Sequence, residues 1–165
     1  MNSEKRGVAG IMLVVVPCGR AKIWQKHSDA GPTSAELTYT GAPLKVNREF
    51  AKTKGDHWVI LSAKYGFIEP GFLIPEDYNV SFKDRRSHPV NIHTLQQQVR
   101  AAKYDRFDHV IALGGREYTS KVRAAFDGTS VIVQTPVEGL PIGKMMSKVK
   151  ELTRMSTDDR ALYRS

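Results

Sequence analysis

The sequence predicts an α/β domain of three layers, with a mainly parallel central sheet of about four strands flanked by helices. Three observations predict it. Four short apolar runs rich in Val and Ile, at 11–16, 58–61, 110–113 and 131–133, are bounded by glycine, proline or polar phrases, as buried strands are. Amphipathic segments with helical spacing alternate with these runs, which suits parallel strands covered on both faces. Each run also stops at a phrase rich in chemistry, and ligands of open α/β sheets sit beyond the carboxyl ends of the strands.

The elements follow in order. The first strand exits into Pro17-Cys18-Gly19-Arg20-Ala21-Lys22. Residues 23–34 are polar and carry the turn signal Gly31-Pro32, so they form a loop over the site. A helix is expected over 44–54, with Leu44, Val46, Phe50 and Ala51 on one side and Gly55 as its stop. The second strand ends at Ser62-Ala63-Lys64-Tyr65-Gly66. Residues 67–75 hold two prolines and a glycine and are too broken for a helix or a central strand. The charged 84–89 segment belongs on the surface. Ile92, Leu95, Val99 and Ala102 make 90–103 an amphipathic helix.

The third strand leads into Gly114-Gly115-Arg116-Glu117-Tyr118 and a helix over 118–126, ended by Asp127-Gly128. The fourth leads into Gln134-Thr135-Pro136-Val137-Glu138-Gly139. The last helix, 144–155, puts Met145, Val149 and Leu152 on one face, with Lys144, Lys148 and Arg154 on the other and Lys150 nearby. The 156–165 tail opens with a capping pattern, Ser-Thr-Asp-Asp, but is too short to stand as a helix. The chain reads as one domain over 1–165 with its core at about 11–155.

At 165 residues such a domain buries roughly 70% of the surface its unfolded chain exposes. No apolar stretch approaches the ~20 residues needed to span a membrane. The first strand runs straight into Pro17-Cys18-Gly19 rather than a small-residue cleavage site, so a cytoplasmic location is expected. Cys18 is the single cysteine, which excludes an internal disulfide and a zinc cluster. The five histidines form no metal-binding pair, so neither a metal nor any other cofactor is expected.

The net charge is +8. Residues 1–55 hold nine Lys and Arg against four Asp and Glu, 56–140 hold ten against ten, and 141–165 hold six against three. The excess therefore sits around the first strand's exit and the last helix. It is either ordinary solvated surface or the footprint of a polyanionic partner.

Each candidate residue has a plain reading beside the functional one. The segment after the first strand lacks the phosphate-loop pattern, and Trp24 stands where a cysteine phosphatase would need arginine. What remains is Cys18 and Gly19 followed by the cations Arg20 and Lys22. Cys18 is either a small buried core residue or a thiol activated by those cations. Ser62 and Lys64, two apart on a strand, would share one face. Lys64 is then an anion-binding or catalytic group, or a plain strand terminus. Tyr39, Tyr65 and Tyr118 either stack on a base or fill the rim. Gly114 and Gly115 before a helix would let backbone amides approach a phosphate or carboxylate. Asp77, Asn79 and Glu138 lie beside proline- or glycine-rich turns; they orient water or a developing cation, or simply form turns.

Taken in order, these phrases resemble an uncharacterised family of bacterial and phage domains. The resemblance rests on Pro17-Cys18-Gly19 with Lys22, Tyr39-Thr40-Gly41, Leu61-Ser62-Ala63-Lys64-Tyr65-Gly66, Pro70, Tyr78, and Pro136-Val137-Glu138-Gly139-Leu140-Pro141-Ile142-Gly143. Residues 61–82 are also similar to the corresponding stretch of the peroxide-stress YaaA family, which implies an association with DNA. The Pro-Cys-x-x-x-Lys phrase resembles domains of archaeal tRNA-base modification enzymes. The α/β layout is similar to that of uracil-DNA-glycosylase-like domains, whose Gly-Gln-Asp-Pro-Tyr phrase this chain lacks.

The expectation that follows is a metal-free enzyme cleaving or exchanging an N-glycosidic bond in DNA, RNA or a nucleoside, with DNA favoured over RNA. Lys64, Asp77, Asn79 and Glu138 are its expected catalytic groups. Cys18, Gly19, Arg20, Lys22, Tyr39, Ser62, Tyr65, Gly66, Tyr78, Gly114, Gly115 and Tyr118 are its expected substrate contacts. The alternative is a non-catalytic DNA- or nucleotide-binding module of the YaaA type.

Overall fold

In the computed structural model of the chain, the described residues are 10–155. The strands are β1 (Met12–Pro17), β2 (Thr33–Ser34), β3 (His57–Ser62), β4 (Gly66–Ile68), β5 (Leu73–Ile74), β6 (His109–Ala112) and β7 (Ile132–Gln134). The helices are α1 (Ala35–Thr38), α2 (Ala42–Lys54), α3 (Ile92–Ala101), α4 (Arg116–Ala125) and α5 (Ile142–Arg154). The central sheet has five strands in the order β4-β3-β1-β6-β7. β1 pairs in parallel with β3 and β6, and β6 with β7.

β1 sits at the centre because it is apolar on both faces. Met12, Val14 and Val16 alternate with Leu13 and Val15, and each set is buried in a different core. The first core receives Leu44, Phe50 and Ala51 of α2 with Val149 and Leu152 of α5. The second receives Leu95 and Val99 of α3 with Val122 and Ala125 of α4. Two helices on each side of one sheet make the expected three layers.

The four expected strands are all present, each within a residue or two of the apolar run that announced it. The fifth, β4, lies in the stretch read as too broken for a central strand. It is an antiparallel edge of three residues, paired Leu61 to Phe67. β2 and β5 form a separate antiparallel pair. All four helices occur, three of them starting two residues before the expected position. α2 and α5 take a proline at their N-terminal boundary, Pro43 in the first turn and Pro141 as N-cap. α3 instead starts later, because the Asn91 carboxamide accepts from the Thr94 amide at 2.8 Å and fixes the cap there. The 156–165 tail lies outside the described residues. No helix among the described residues is long and apolar enough to cross a membrane.

Candidate functional site

From β1 the chain moves to β3 and β4 on one side, then returns to β6 and β7 on the other. The strand order therefore reverses between β1 and β6, and the crevice beyond their carboxyl ends is where an open α/β sheet takes its ligand. A crevice of about 580 Å³ lies there, lined by Cys18, Gly19 and Arg20 after β1 and by Gly114, Gly115 and Tyr118 after β6. These six are the expected contacts that the fold brings together.

Three helices begin at the same place. Gly41 and Gly115, the N-cap residues of α2 and α4, line the crevice together with Ile142, the first residue of α5. No side chain caps any of the three. The positive ends of three helix dipoles thus meet at one point, their first-turn amides left without a side-chain acceptor. Glu117 lies against Gly115 and pairs with Lys83 at 3.7 Å. Arg20 and Lys83 are exposed at the mouth, whereas Leu44 and Val137 are buried in the wall.

Gly114 permits the close approach of the two strand exits. Its φ is +96°, and a Cβ there would stand 2.7 Å from Cγ of Pro17. The Tyr118 hydroxyl donates to the Cys18 carbonyl at 3.2 Å and lies 3.5 Å from the Cys18 thiol. Burial pushes the Cys18 thiol up, against the lowering effects of Tyr118, the Ala63 backbone and Lys22. Burial thus works against the activation by neighbouring cations that Arg20 and Lys22 suggested. Burial also raises Tyr118.

Behind Cys18 lies a sealed polar cluster. Tyr39 is 2% exposed and Ser62 is fully buried. The Tyr78 hydroxyl bonds to both, to Ser62 at 2.8 Å and to Tyr39 in a shorter contact. Lys22 is buried too, its ammonium 4.6 Å from the centre of the Tyr78 ring and 3.9 Å from Asp77. Tyr39, Ser62, Tyr78 and Lys22 do not line the crevice. They build the wall from which Cys18 projects, so their expected part in binding is corrected to support.

Other expected residues lie away from the crevice. β3 ends at Ser62, so Ser62 and Lys64 do not share a strand face. Lys64 is exposed beyond a turn, its ammonium 5.2 Å from the Tyr65 ring centre. Tyr65 is packed against Phe72 and Tyr78 rather than offered to a base. Gly66 serves packing: at φ +78° a Cβ would come within 2.2 Å of Gln98. Asp77 is exposed and accepts from the Tyr78 amide, and Asn79 is exposed beside it; neither lines the crevice. Glu138 lies outside it as well. Its carboxylate accepts from Thr119 at 2.7 Å and pairs with Arg116 and Arg123 at 3.6 Å. The Thr119 bond first, then those cations, hold it below the usual carboxylate range. Lys148, expected on an open basic face, donates to the Pro136 carbonyl at 2.8 Å.

The residues that sequence reasoning missed lie on helices, apart from Lys83 on a turn. Asn47 of α2 is only 7% exposed, lines the crevice, and its side chain makes no hydrogen bond among the described residues. Met145 and Met146 of α5 line it beside Leu44. Asn47 does have a signal in the sequence: it interrupts the apolar stripe Leu44, Phe50, Ala51 with an amide. Among the described residues no group of three His, Cys, Asp or Glu side chains could hold a metal ion.

An uncharacterised protein of Bacillus subtilis (strain 168), YfjM, is 36% identical over 112 residues, covering 68% of this chain and 75% of that protein. No solved structure is significantly similar. Residues 13–151 match a bacterial domain family described as a family of unknown function, DUF6884, and the chain belongs to that family.

Proposed function

We propose that the chain binds a nucleotide, free or extruded from a nucleic acid, in the crevice between the exits of β1 and β6. One observation carries this reading: three uncapped helix N-termini meet the exposed cations Arg20 and Lys83 around a largely apolar hollow. The first part suits a phosphate, and the hollow suits a flat ring. The resemblance of residues 61–82 to the DNA-associated YaaA family supports the same class of ligand, as does the +8 net charge. A cytoplasmic location goes with a nucleotide ligand.

Cleavage of an N-glycosidic bond, the activity implied by the layout similar to uracil-DNA-glycosylase-like domains, is a second reading with one specific observation behind it. Glu117 is a carboxylate lining the crevice, placed to face a sugar that becomes cationic as the base departs. It takes over the part first given to Asp77, Asn79 and Glu138.

The test is calorimetric titration with nucleosides, nucleoside 5′-phosphates and single- and double-stranded DNA and RNA, with mass spectrometry for free base. Phosphorylated ligands are expected to bind more tightly than nucleosides, less so at high salt and less so in Arg20→Ala/Lys83→Ala. Release of base that Glu117→Gln abolishes would establish the second reading. No binding by any nucleotide or nucleic acid would overturn both.

A further inference from the structure

Asn47 is a polar crevice residue with no structural use for its side chain among the described residues. The residue is 7% exposed, its carboxamide has no hydrogen-bond partner there, and it lines the hollow. Its polar atoms are not sealed from solvent, so their hydrogen-bonding capacity is open to the hollow, whereas a helix facing a core favours an apolar residue at that position. Its neighbours in the wall are Leu44, Val137 and Met145, which offer a flat ring contact surface and no competing polar group. A carboxamide presents one donor and one acceptor side by side. Its complement is a ring edge that also carries a donor next to an acceptor.

We propose that Asn47 reads the edge of a nucleobase inserted into the hollow, by a pair of hydrogen bonds to an adjacent donor and acceptor on the ring. The ligand class is thereby narrowed to nucleotides whose base carries such an edge, as adenine, cytosine, guanine and uracil do and unsubstituted purine does not, and the phosphate remains with Arg20, Lys83 and the helix N-termini. This rests on the nucleotide-binding reading given above and adds a residue that reads the base. Discrimination is expected against rings that lack the paired donor and acceptor, because they leave the carboxamide unpaired when they enter. Which of the four bases fits best is set by its size and by the register of the two bonds.

The experiment titrates the wild-type protein and Asn47→Leu with AMP, CMP, GMP, UMP, ribose 5-phosphate and the 5′-monophosphate of unsubstituted purine riboside. Thermal melting of the unliganded proteins is recorded in parallel. For the preferred nucleotide, Asn47→Leu is expected to lose about ten- to hundredfold in affinity. Ribose 5-phosphate should bind both proteins equally. The unliganded variant should melt at or above the wild-type temperature, because leucine removes an unpaired amide from an apolar wall. Purine riboside 5′-monophosphate, which keeps the flat ring but lacks exocyclic groups, should bind the wild type more weakly than the preferred nucleotide does, a comparison that needs no variant. If the wild type prefers one nucleotide and Asn47→Leu keeps that preference, the assignment to Asn47 is wrong while nucleotide binding stands. Equal wild-type affinity for all four nucleotides and ribose 5-phosphate overturns base reading altogether. Failure of every probe to bind the wild type overturns the nucleotide reading and this inference with it.

Discussion

Ser62 donates its single hydrogen to the Tyr78 hydroxyl at 2.8 Å, because its oxygen already accepts from the amides of Lys64 and Tyr65, each at 3.2 Å. One buried hydroxyl thus closes the turn after β3 and ties the segment beyond β5 to the sheet. Ser62→Ala leaves two amides without their acceptor and removes one of the two hydroxyl contacts of Tyr78. It is expected to lower unfolding free energy by about 1–3 kcal/mol, read by denaturant titration.

Gly114→Ala is expected to be destabilising and to reshape the crevice. The alanine would have to adopt φ +96° with its Cβ 2.7 Å from Cγ of Pro17. The cost is about 1–3 kcal/mol for the backbone conformation alone. A lowered melting temperature together with weakened nucleotide binding is the expected pair of results.

Stability should fall in alkali. Burial lifts Tyr78 to about 12 in the folded chain from an ordinary 10.0. A raised acid contributes stability that is complete below its unfolded value and is lost as pH rises through its folded value. The window for Tyr78 is therefore pH 10 to 12, and Cys18, also raised by burial, begins to contribute above its ordinary 9.0. Denaturant midpoints should decline across this range. Labelling of Cys18 by a thiol reagent should stay slow at neutral pH.

Glu138 behaves in the opposite sense. Its carboxylate is held below the usual 4.5, so its contribution is present above that value and disappears as pH falls beneath it. Glu138→Gln is expected to cost about 1 kcal/mol at neutral pH and to flatten the acid limb of the stability profile. Nucleotide affinity should be unchanged, since Glu138 stands outside the crevice.

Glu117→Gln should affect ligand rather than fold. Removing a carboxylate beside the helix α4 N-terminus takes away a like charge, so phosphate-bearing ligands should bind severalfold more tightly. Any release of free base should vanish in the same variant. Calorimetry and mass spectrometry on one preparation read both.

Strand positions were legible because β1, β3 and β6 are buried on both faces and therefore appear as unbroken apolar runs. β4 was not, since three residues at an antiparallel edge with Gly66 at their start leave no period to detect. That the strand-exit glycines, Cys18 and Tyr118 line one crevice was legible because topology places the β1 and β6 exits together. Asp77, Asn79 and Glu138 misled because a carboxylate or amide near a turn looks alike whether it faces a ligand or a neighbouring arginine. Asn47 was hidden by being on a helix, six residues after its N-cap, in a segment read only for its apolar stripe. Lys22 and Tyr39 were expected at the ligand and lie outside the crevice, because sequence spacing does not distinguish a crevice from the wall behind it.

The bond between Tyr78 and the sheet has a mechanical consequence for the crevice. The stretch from Pro75 to Pro89 contains no strand and only a short 3-10 turn, yet it carries Phe82 against the Tyr118 ring and Lys83 to the mouth. Tyr78, gripped by Ser62 and Tyr39, is the peg from which that stretch hangs. The reach of Lys83 into the crevice is therefore set from behind the wall, by the hydroxyls of Ser62 and Tyr39.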